Sequence, residues 1–145
     1  MLICISKLPY AETTLLFGDL IARLEQADVT LMTVVNEAVE RPLADELLAR
    51  AQALLTVPDV NTEVCLGSPA TGILSQAEKG EYDLIVIGAH ILGGFFDRFF
   101  TSVMTKVAVK ATTNVLVVKE KKTHLNHILI CTAAREADRP LIKKE

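Results

Sequence analysis

A run of four apolar residues past the middle of the chain places the strongest constraint on its fold; they are Leu84, Ile85, Val86 and Ile87. The run is rich in β-branched side chains and lacks alternating polar residues, which is typical of a strand buried on both faces of a parallel sheet. Gly88 follows directly, and we expect it to end the strand in a sharp turn that needs a positive φ. The carboxyl end of such a strand is where open α/β sheets bind their ligands.

The rest of the chain continues this alternation of strand and helix. Strand-like runs occupy residues 2–5, 29–35, 60–66 and 115–118, and helical segments separate all of these strands. The order predicts an α/β domain with a five-stranded parallel open sheet, helices on both faces and right-handed crossovers. We expect residues 60–66 to form an edge strand, because their alternation of apolar and polar residues is imperfect.

Two of the predicted helices carry an apolar stripe that we expect to face the sheet. In the first helix Gly18 lowers the helix propensity, so we expect close packing on the sheet to compensate there. The stripe of the first helix consists of Leu16, Phe17, Leu20, Ile21 and Leu24. The stripe of the second consists of Leu43, Leu47, Ala51, Leu54 and Leu55.

Composition and charge argue against several classes of function. The chain has 145 residues, 50% of them hydrophobic and 23% charged, and its net charge of −3 gives no reason to expect nucleic-acid binding. The longest uncharged apolar stretch, residues 84–96, is shorter than the ~20 residues that span a membrane. The N-terminus lacks the basic segment of a signal peptide, so we expect a cytoplasmic protein that does not bind membranes.

The cysteines and histidines do not form a metal-binding pattern. Cys4, Cys65 and Cys131 are far apart and lie in apolar runs, which predicts buried reduced thiols in place of disulfides or zinc ligands. The three histidines have no cysteine or carboxylate at ligand spacing. We therefore expect no metal site.

The end of the chain contains a short internal repeat. The sequence Leu-Ile-Cys-Thr at 129–132 resembles Leu-Ile-Cys-Ile at 2–5, and a charged linker at 119–122 precedes it. We predict one domain at residues 1–122, and at 123–145 a truncated second copy that holds one strand and part of a helix. The alternative is a chance similarity between two apolar strands.

Several segments in a fixed order identify a family resemblance. They are Pro9-Tyr10-Ala11-Glu12, Gly67-Ser68-Pro69-Ala70, the stretch YDLIVIGAHILGGFFDRFFTSV from 82 to 103, and NVLVVK from 114 to 119. Over residues 1 to 120 the chain resembles the universal stress protein family. The resemblance implies a Rossmann-like, adenine-nucleotide-binding domain with strand order 3-2-1-4-5, tandem copies in some members, and no metabolic reaction. It also implies a homodimer through the last strand, formed by Val115, Leu116, Val117 and Val118.

The resemblance also implies a nucleotide site, of which this chain keeps only a part. ATP-binding members carry the signature G-x2-G-x9-G-[S/T]; here Gly88 and Ser102 match its ends, whereas Ile91 and Thr101 replace its second and third glycines. Ser6 stands where those members have an acidic residue. The implied contacts are adenine at Val34, ribose at Ser6, and phosphates at Gly88, Gly93, Gly94 and Ser102.

Each substitution at this site has a physical consequence. Ile91 is β-branched and resists a positive φ, and its side chain adds bulk beside the ligand. Ser6 brings no charge to hold a metal ion, which prefers carboxylate and phosphate oxygens. We therefore predict a degenerate site with no cofactor, or with ATP bound weakly.

The remaining motifs leave two classes of function open. No GxxxxGK[ST], GxGxxG or GxSxG motif occurs, and no histidine or carboxylate near in sequence activates the hydroxyls of the site, so we expect no enzyme. The favoured function is a stress-response module that dimerises and contacts a protein partner. The alternative is a regulatory sensor that binds ATP or AMP. Four aromatic residues either bury against the sheet or form a partner-binding patch; they are Phe95, Phe96, Phe99 and Phe100.

Overall fold

The computed structural model describes residues 1–89 and 95–119, with side chains described outside 95–101. Five parallel strands form one sheet in the order β3-β2-β1-β4-β5, which confirms the predicted fold class and strand order. The strands are β1 (Leu2–Cys4), β2 (Val29–Val35), β3 (Val60–Leu66), β4 (Leu84–Ala89) and β5 (Asn114–Lys119). β3 and β5 form the two edges of this sheet, as the sequence predicts.

Helices cover both faces of the sheet and divide the core into two apolar clusters. One cluster lies between the sheet and the first two helices, and the other lies between the sheet and the last two. The helices are α1 (Glu12–Glu25), α2 (Arg41–Gln52), α3 (Pro69–Lys79) and α4 (Phe95–Lys110), with a short 3-10 turn at Ala38–Glu40 before α2. β1 is buried at every position, because it lies in the centre of the sheet with helices on both sides.

The face of α1 that packs on the sheet only partly coincides with the one that its large apolar residues predict. Leu16 is 43% exposed and Leu24 is 72% exposed, whereas Phe17 and Ile21 of the predicted stripe are half-buried and pack against the core, so the predicted stripe is only partly right. Gly18 explains this orientation, because a Cβ built on it would lie 2.5 Å from Ile3 Cδ1. The close packing predicted for Gly18 is therefore confirmed. The face of α1 in contact with the core consists of Thr14, Leu15, Gly18, Asp19 and Ala22.

The predicted inward stripe of α2 is also partly wrong. Leu43 is 71% exposed, and Leu54, which is 52% exposed, lies beyond the end of the helix at Gln52. The buried residues of the helix are Ala44, Leu48 and Ala51. The fully buried row of the helix therefore starts one residue after Leu43. Of the predicted stripe, Ala51 is buried, and Leu47 and Leu55 are partly buried against the same core.

Gly88 does not end its strand in a left-handed turn. It lies inside β4 and pairs with Val118 of β5. Among the described glycines, positive φ occurs at Gly67, which has φ 124° and ends β3. Gly88 is needed for a different reason: the Thr14 Oγ1 of α1 occupies the space that a Cβ would fill. The glycine therefore allows α1 to approach β4 closely.

Some predictions concern residues outside the described part of the chain. They are the second copy at 123–145, the environment of Cys131, and the contacts of Ile91, Gly93 and Gly94. The side chains of the four clustered phenylalanines and of Thr101 also lie outside it. The described thiols are free, with Cys4 buried and Cys65 half-buried.

Candidate functional site

A cavity of about 160 Å³ opens at the carboxyl ends of β1, β2 and β4. The strand order reverses here, since the chain leaves β1 for β2 on one side and returns to β4 on the other. Reversal points of this kind are where open α/β sheets bind ligands. Apolar side chains from the α3 and α4 side form most of one wall; they are Met32, Val34, Ile73, Ile87, Val103 and Met104.

The structure brings three of the predicted site residues together. Ser6, Val34 and Gly88 all line the cavity, because each lies at the carboxyl end of one of three adjacent strands. Ser6 is exposed at the mouth, and Val34 is half-buried. Ser102 is half-buried in α4 and precedes the lining residue Val103, but does not itself line the cavity.

The described lining carries hydroxyls and no charged side chain. Its polar side chains include those of Ser6, Thr13, Thr14 and Thr33. Cys4 also lines the cavity, and burial, followed by the nearby Cys65, raises the pKa of its thiol far above the ordinary value. Since the thiolate is the nucleophilic form, the Cys4 thiol is inert at neutral pH. This part of the site offers hydrogen bonds to a neutral ligand.

Two lining residues that sequence reasoning missed are Thr14 and Thr33. Each is only 3% exposed, on α1 and β2 respectively. Thr14 shares the sheet-facing side of α1 with Leu15 and Gly18, so a correct choice of helix face would have found it. Thr33 and Thr30 are the two polar residues of β2, and Thr33 is the buried one. A hydroxyl in so apolar a strand is a usable signal, because buried hydroxyls normally need a hydrogen-bond partner.

Tyr10 forms part of the rim of the cavity. Tyr10 is 41% exposed, and the Lys7 Nζ lies 5.1 Å from its ring centroid. This distance is within the range of a cation–π contact, which at exposed sites contributes about 0.5–1 kcal/mol. The contact stabilises the turn between β1 and α1 beside Ser6.

Two other kinds of feature, a metal-binding cluster and a membrane-spanning helix, are absent from the described ranges. Residues 1–89 and 95–119 contain no cluster of three His, Cys, Asp or Glu side chains that could hold a metal ion. Within the same ranges no helix is both long and apolar enough to cross a membrane.

The fold and the cavity define a class of protein: an α/β domain with a cavity at the reversal point of a 3-2-1-4-5 sheet, where such sheets bind ligands. The chain belongs to the universal stress protein family, whose family model matches residues 25–119. The model therefore covers β2 to β5, including the cavity residues Val34 and Gly88.

A relative found by sequence agrees with this assignment. A universal stress protein of Mycolicibacterium smegmatis is 35% identical over 86 residues, which are 59% of this chain and 29% of that relative. The chain thus spans less than a third of the length of this curated relative.

Solved structures with the same fold include two that contain a nucleotide. A universal stress protein in complex with cAMP has 22% identity and a TM-score of 0.64, over 86% of this chain and 98% of that one. A universal stress protein from Archaeoglobus fulgidus in complex with dAMP has 22% identity and a TM-score of 0.67, over 80% and 94%. At this identity the likeness shows the fold.

Proposed function

We propose that this domain is a non-catalytic stress-response module that dimerises, contacts a protein partner and carries a degenerate nucleotide site. The main observation in favour of a degenerate site is that the described lining has no charged side chain. Ser6 lies at the mouth of the cavity, where a carboxylate would hold a metal–nucleotide complex. A site of this kind binds an adenine nucleotide weakly and without a metal ion. The cytoplasmic location belongs to this proposal and rests on the sequence.

The absence of catalysis in this proposal rests on the chemistry of the cavity. A hydrolase needs a nucleophile or bound water beside a general base. The hydroxyls of Ser6, Thr13, Thr14 and Thr33 share the described lining with no histidine or carboxylate. The Cys4 thiol is protonated, because burial raises its pKa.

Dimerisation in this proposal uses the outer edge of β5. The strand lies at the end of the sheet, and Val117 is 39% exposed. An apolar strand edge is a template for pairing with a second strand. Pairing of β5 with its copy would give an isologous two-fold dimer with a continuous sheet. The contact with a protein partner belongs to this proposal and rests on the sequence.

A second candidate function is a regulatory sensor that binds an adenine nucleotide. The observation in its favour is the cavity itself, which lies at the reversal point and is lined by Val34 and Gly88. Two proteins of the same fold are described in complex with cAMP and dAMP. The two candidate functions differ in affinity: a sensor must bind its nucleotide at cellular concentrations, whereas a degenerate site need not.

The deciding experiment is to purify the protein, denature it and identify any released nucleotide by chromatography. Calorimetry with AMP, cAMP and ATP, each with and without Mg²⁺, then gives the affinities. The degenerate site predicts no co-purified nucleotide, dissociation constants in the millimolar range and no effect of Mg²⁺. A co-purified nucleotide, or ATP binding at low micromolar concentration, would establish the sensor instead. Release of phosphate from ATP, abolished by a substitution at Ser6, would contradict the non-catalytic proposal.

A further inference from the structure

Two buried hydroxyls in the cavity have no hydrogen-bond partner within the part of the chain that the structure describes. They belong to Thr14 and Thr33, which are each 3% exposed and line the cavity. A buried hydroxyl without a partner destabilises the folded protein relative to a methyl group of the same shape. Such groups therefore require an explanation, and a ligand that enters the cavity would supply the partner.

The sheet register places these two residues on opposite sides of the end of β1. Cys4 pairs with Met32 of β2 and with Ile87 of β4. Thr33 follows Met32, and Gly88, which Thr14 Oγ1 touches, follows Ile87. Thr33 therefore lies one residue past the last paired position on the β2 side of β1. The Thr14 hydroxyl lies beside the residue one past the last paired position on the β4 side. Both hydroxyls lie on the α1 side of the sheet.

The surroundings of the two hydroxyls select a neutral ligand group. A hydroxyl both donates and accepts, so a pair of them suits a group with donors and acceptors in close proximity, such as ribose or a purine edge. The described lining contains no charged side chain, and the Lys7 Nζ lies outside it, over the Tyr10 ring at the rim. Apolar neighbours such as Ile5 and Ala11 make the surroundings less polar, which strengthens hydrogen bonds to a bound ligand.

We propose that Thr14 and Thr33 form the specificity-determining floor of the cavity and bind the uncharged nucleoside part of its ligand. The affinity then resides in the nucleoside, and the phosphates add little. This inference rests on the proposed nucleotide site and specifies which part of the nucleotide that site recognises.

The test is an NMR titration of the full chain with adenosine, AMP and ATP at millimolar concentrations. Thr14→Val and Thr33→Val each replace a hydroxyl by a methyl, whereas Thr14→Ser and Thr33→Ser keep the hydroxyl. Thr62→Val, at an exposed position on β3 away from the cavity, is the matched control. Thermal unfolding of each ligand-free variant shows whether the hydroxyl has a structural role.

The wild-type chain should bind adenosine as tightly as ATP, within a factor of about three. Each valine variant should lose about 2- to 10-fold in affinity, the effect of one net hydrogen bond. The serine variants and Thr62→Val should keep the wild-type affinity. The ligand-free valine variants should unfold at the same temperature as the wild type or higher, because an unsatisfied buried hydroxyl has been removed. If Thr14→Val does not fold because its methyl presses on Gly88, Thr33→Val decides the question.

Two results would overturn the inference and are distinguishable. If the wild type binds nucleotides but the valine variants bind equally well, or if ATP binds far more tightly than adenosine, the inference fails while the nucleotide site stands. If the wild type binds none of the three compounds, the proposed nucleotide site fails and the inference with it.

Discussion

Asp19 on α1 holds Thr56 in the turn before β3 through two hydrogen bonds. The Asp19 carboxylate accepts one from the Thr56 backbone N–H at 2.6 Å and another from the Thr56 hydroxyl at 2.8 Å. The Val57 N–H donates to the same carboxylate at 3.1 Å, and the Arg23 Nε lies 3.1 Å from it. One buried carboxylate thus fixes a turn that is distant in sequence against the first helix.

Removal of this carboxylate should destabilise the domain. Asp19→Ala leaves the N–H groups of Thr56 and Val57 without an acceptor, and each lost bond to a charged group contributes about 1.5–3 kcal/mol. Because the turn is partly exposed and water replaces some of these bonds, we expect a net loss of about 2–4 kcal/mol. Urea unfolding measures it. Asp45→Ala, at an exposed position on α2, is the control and should change little. Equal stability of the two variants would contradict this role.

The same carboxylate should make the stability of the domain sensitive to acid. Burial acts to raise the pKa of Asp19, but the hydrogen bonds from Thr56 and Val57, with Arg23, outweigh it and hold the pKa below the ordinary value of 3.8. A lowered folded-state pKa means that the stabilisation is complete above the ordinary value and is lost as the pH falls through the folded value. Between pH 5 and about 2, the unfolding free energy of Asp19→Asn should therefore fall less steeply than that of the wild type. Parallel curves would contradict this.

The contact between Gly88 and Thr14 predicts a rescue. Gly88→Ala would place a methyl on Thr14 Oγ1, and overpacking of this kind costs about 1–3 kcal/mol. Thr14→Ala removes that oxygen, so the double variant should recover most of the loss. A double-mutant cycle in urea measures the coupling. Additive effects of the two substitutions would show that the contact does not constrain this position.

Much of the fold could be predicted because its signals are local. The apolar run before Gly88, the alternation of strands and helices and the family segments were sufficient for the sheet order. The orientation of α1 could not be read in this way, since it depends on the depth of the groove above Ile3, which accepts Gly18 but not a larger residue. A helical stripe shows that residues share a face, but not which face meets the sheet.

The two faces of α1 should respond differently to truncation. Leu15 is 2% exposed in the core, and Leu15→Ala should cost about 2–5 kcal/mol through lost burial and a cavity. Leu24 is 72% exposed, so Leu24→Ala should change the stability by less than about 0.5 kcal/mol. The two substitutions remove the same atoms from one helix, which makes each the control for the other in urea unfolding. A large loss of stability for Leu24→Ala would instead support the orientation of α1 that the sequence predicts.

The residues of the candidate site could also be predicted from the sequence only in part. Ser6, Val34 and Gly88 converge because parallel strands end at one edge of the sheet, so strand order and family signature were enough. Thr14 and Thr33 were missed, since their role depends on side-chain burial and on the helix face. Neither can be read from spacing along the chain.

The outer edge of β5 gives a prediction about assembly. Ile5 N–H donates to Met32 C=O, so odd-numbered residues of β1 bond to β2 and even-numbered ones to β4. The same alternation continues across the sheet through the register of β1 with β4 and of β4 with β5. In β5 the backbone N–H and C=O groups of Val115 and Val117 therefore point away from β4, to the outer edge. Val117→Pro therefore removes an edge donor without breaking the ladder to β4.

Sedimentation should show a dimer for the wild type and a monomer for Val117→Pro. Thr62→Pro is the matched control: the same alternation directs the Thr62 backbone to the outer edge of β3, so this variant should remain dimeric. A wild-type monomer at high concentration, or a dimer that Val117→Pro leaves intact, would contradict pairing through β5.

The final prediction concerns ATP. The substitutions at Ser6, Ile91 and Thr101 remove a carboxylate and two glycines from the family signature, and each lost bond to a charged group weakens binding by about 1.5–3 kcal/mol. Since each 1.4 kcal/mol is about tenfold, two or three such losses turn a micromolar site into a millimolar one. We therefore expect no tight ATP binding and no ATPase activity in the wild-type chain.

Restoration of the signature should reverse this loss. The triple variant Ser6→Asp, Ile91→Gly and Thr101→Gly returns a charged group to the mouth of the cavity and two flexible positions to the phosphate loop. Calorimetry with ATP and Mg²⁺ should then show a gain of at least about tenfold. Ser6→Asn is the matched control for the charge, and alone it should not confer a response to Mg²⁺. If the wild type already binds ATP at low micromolar concentration, the site is not degenerate. If the triple variant folds but gains no affinity, these three substitutions are not what weakens the site.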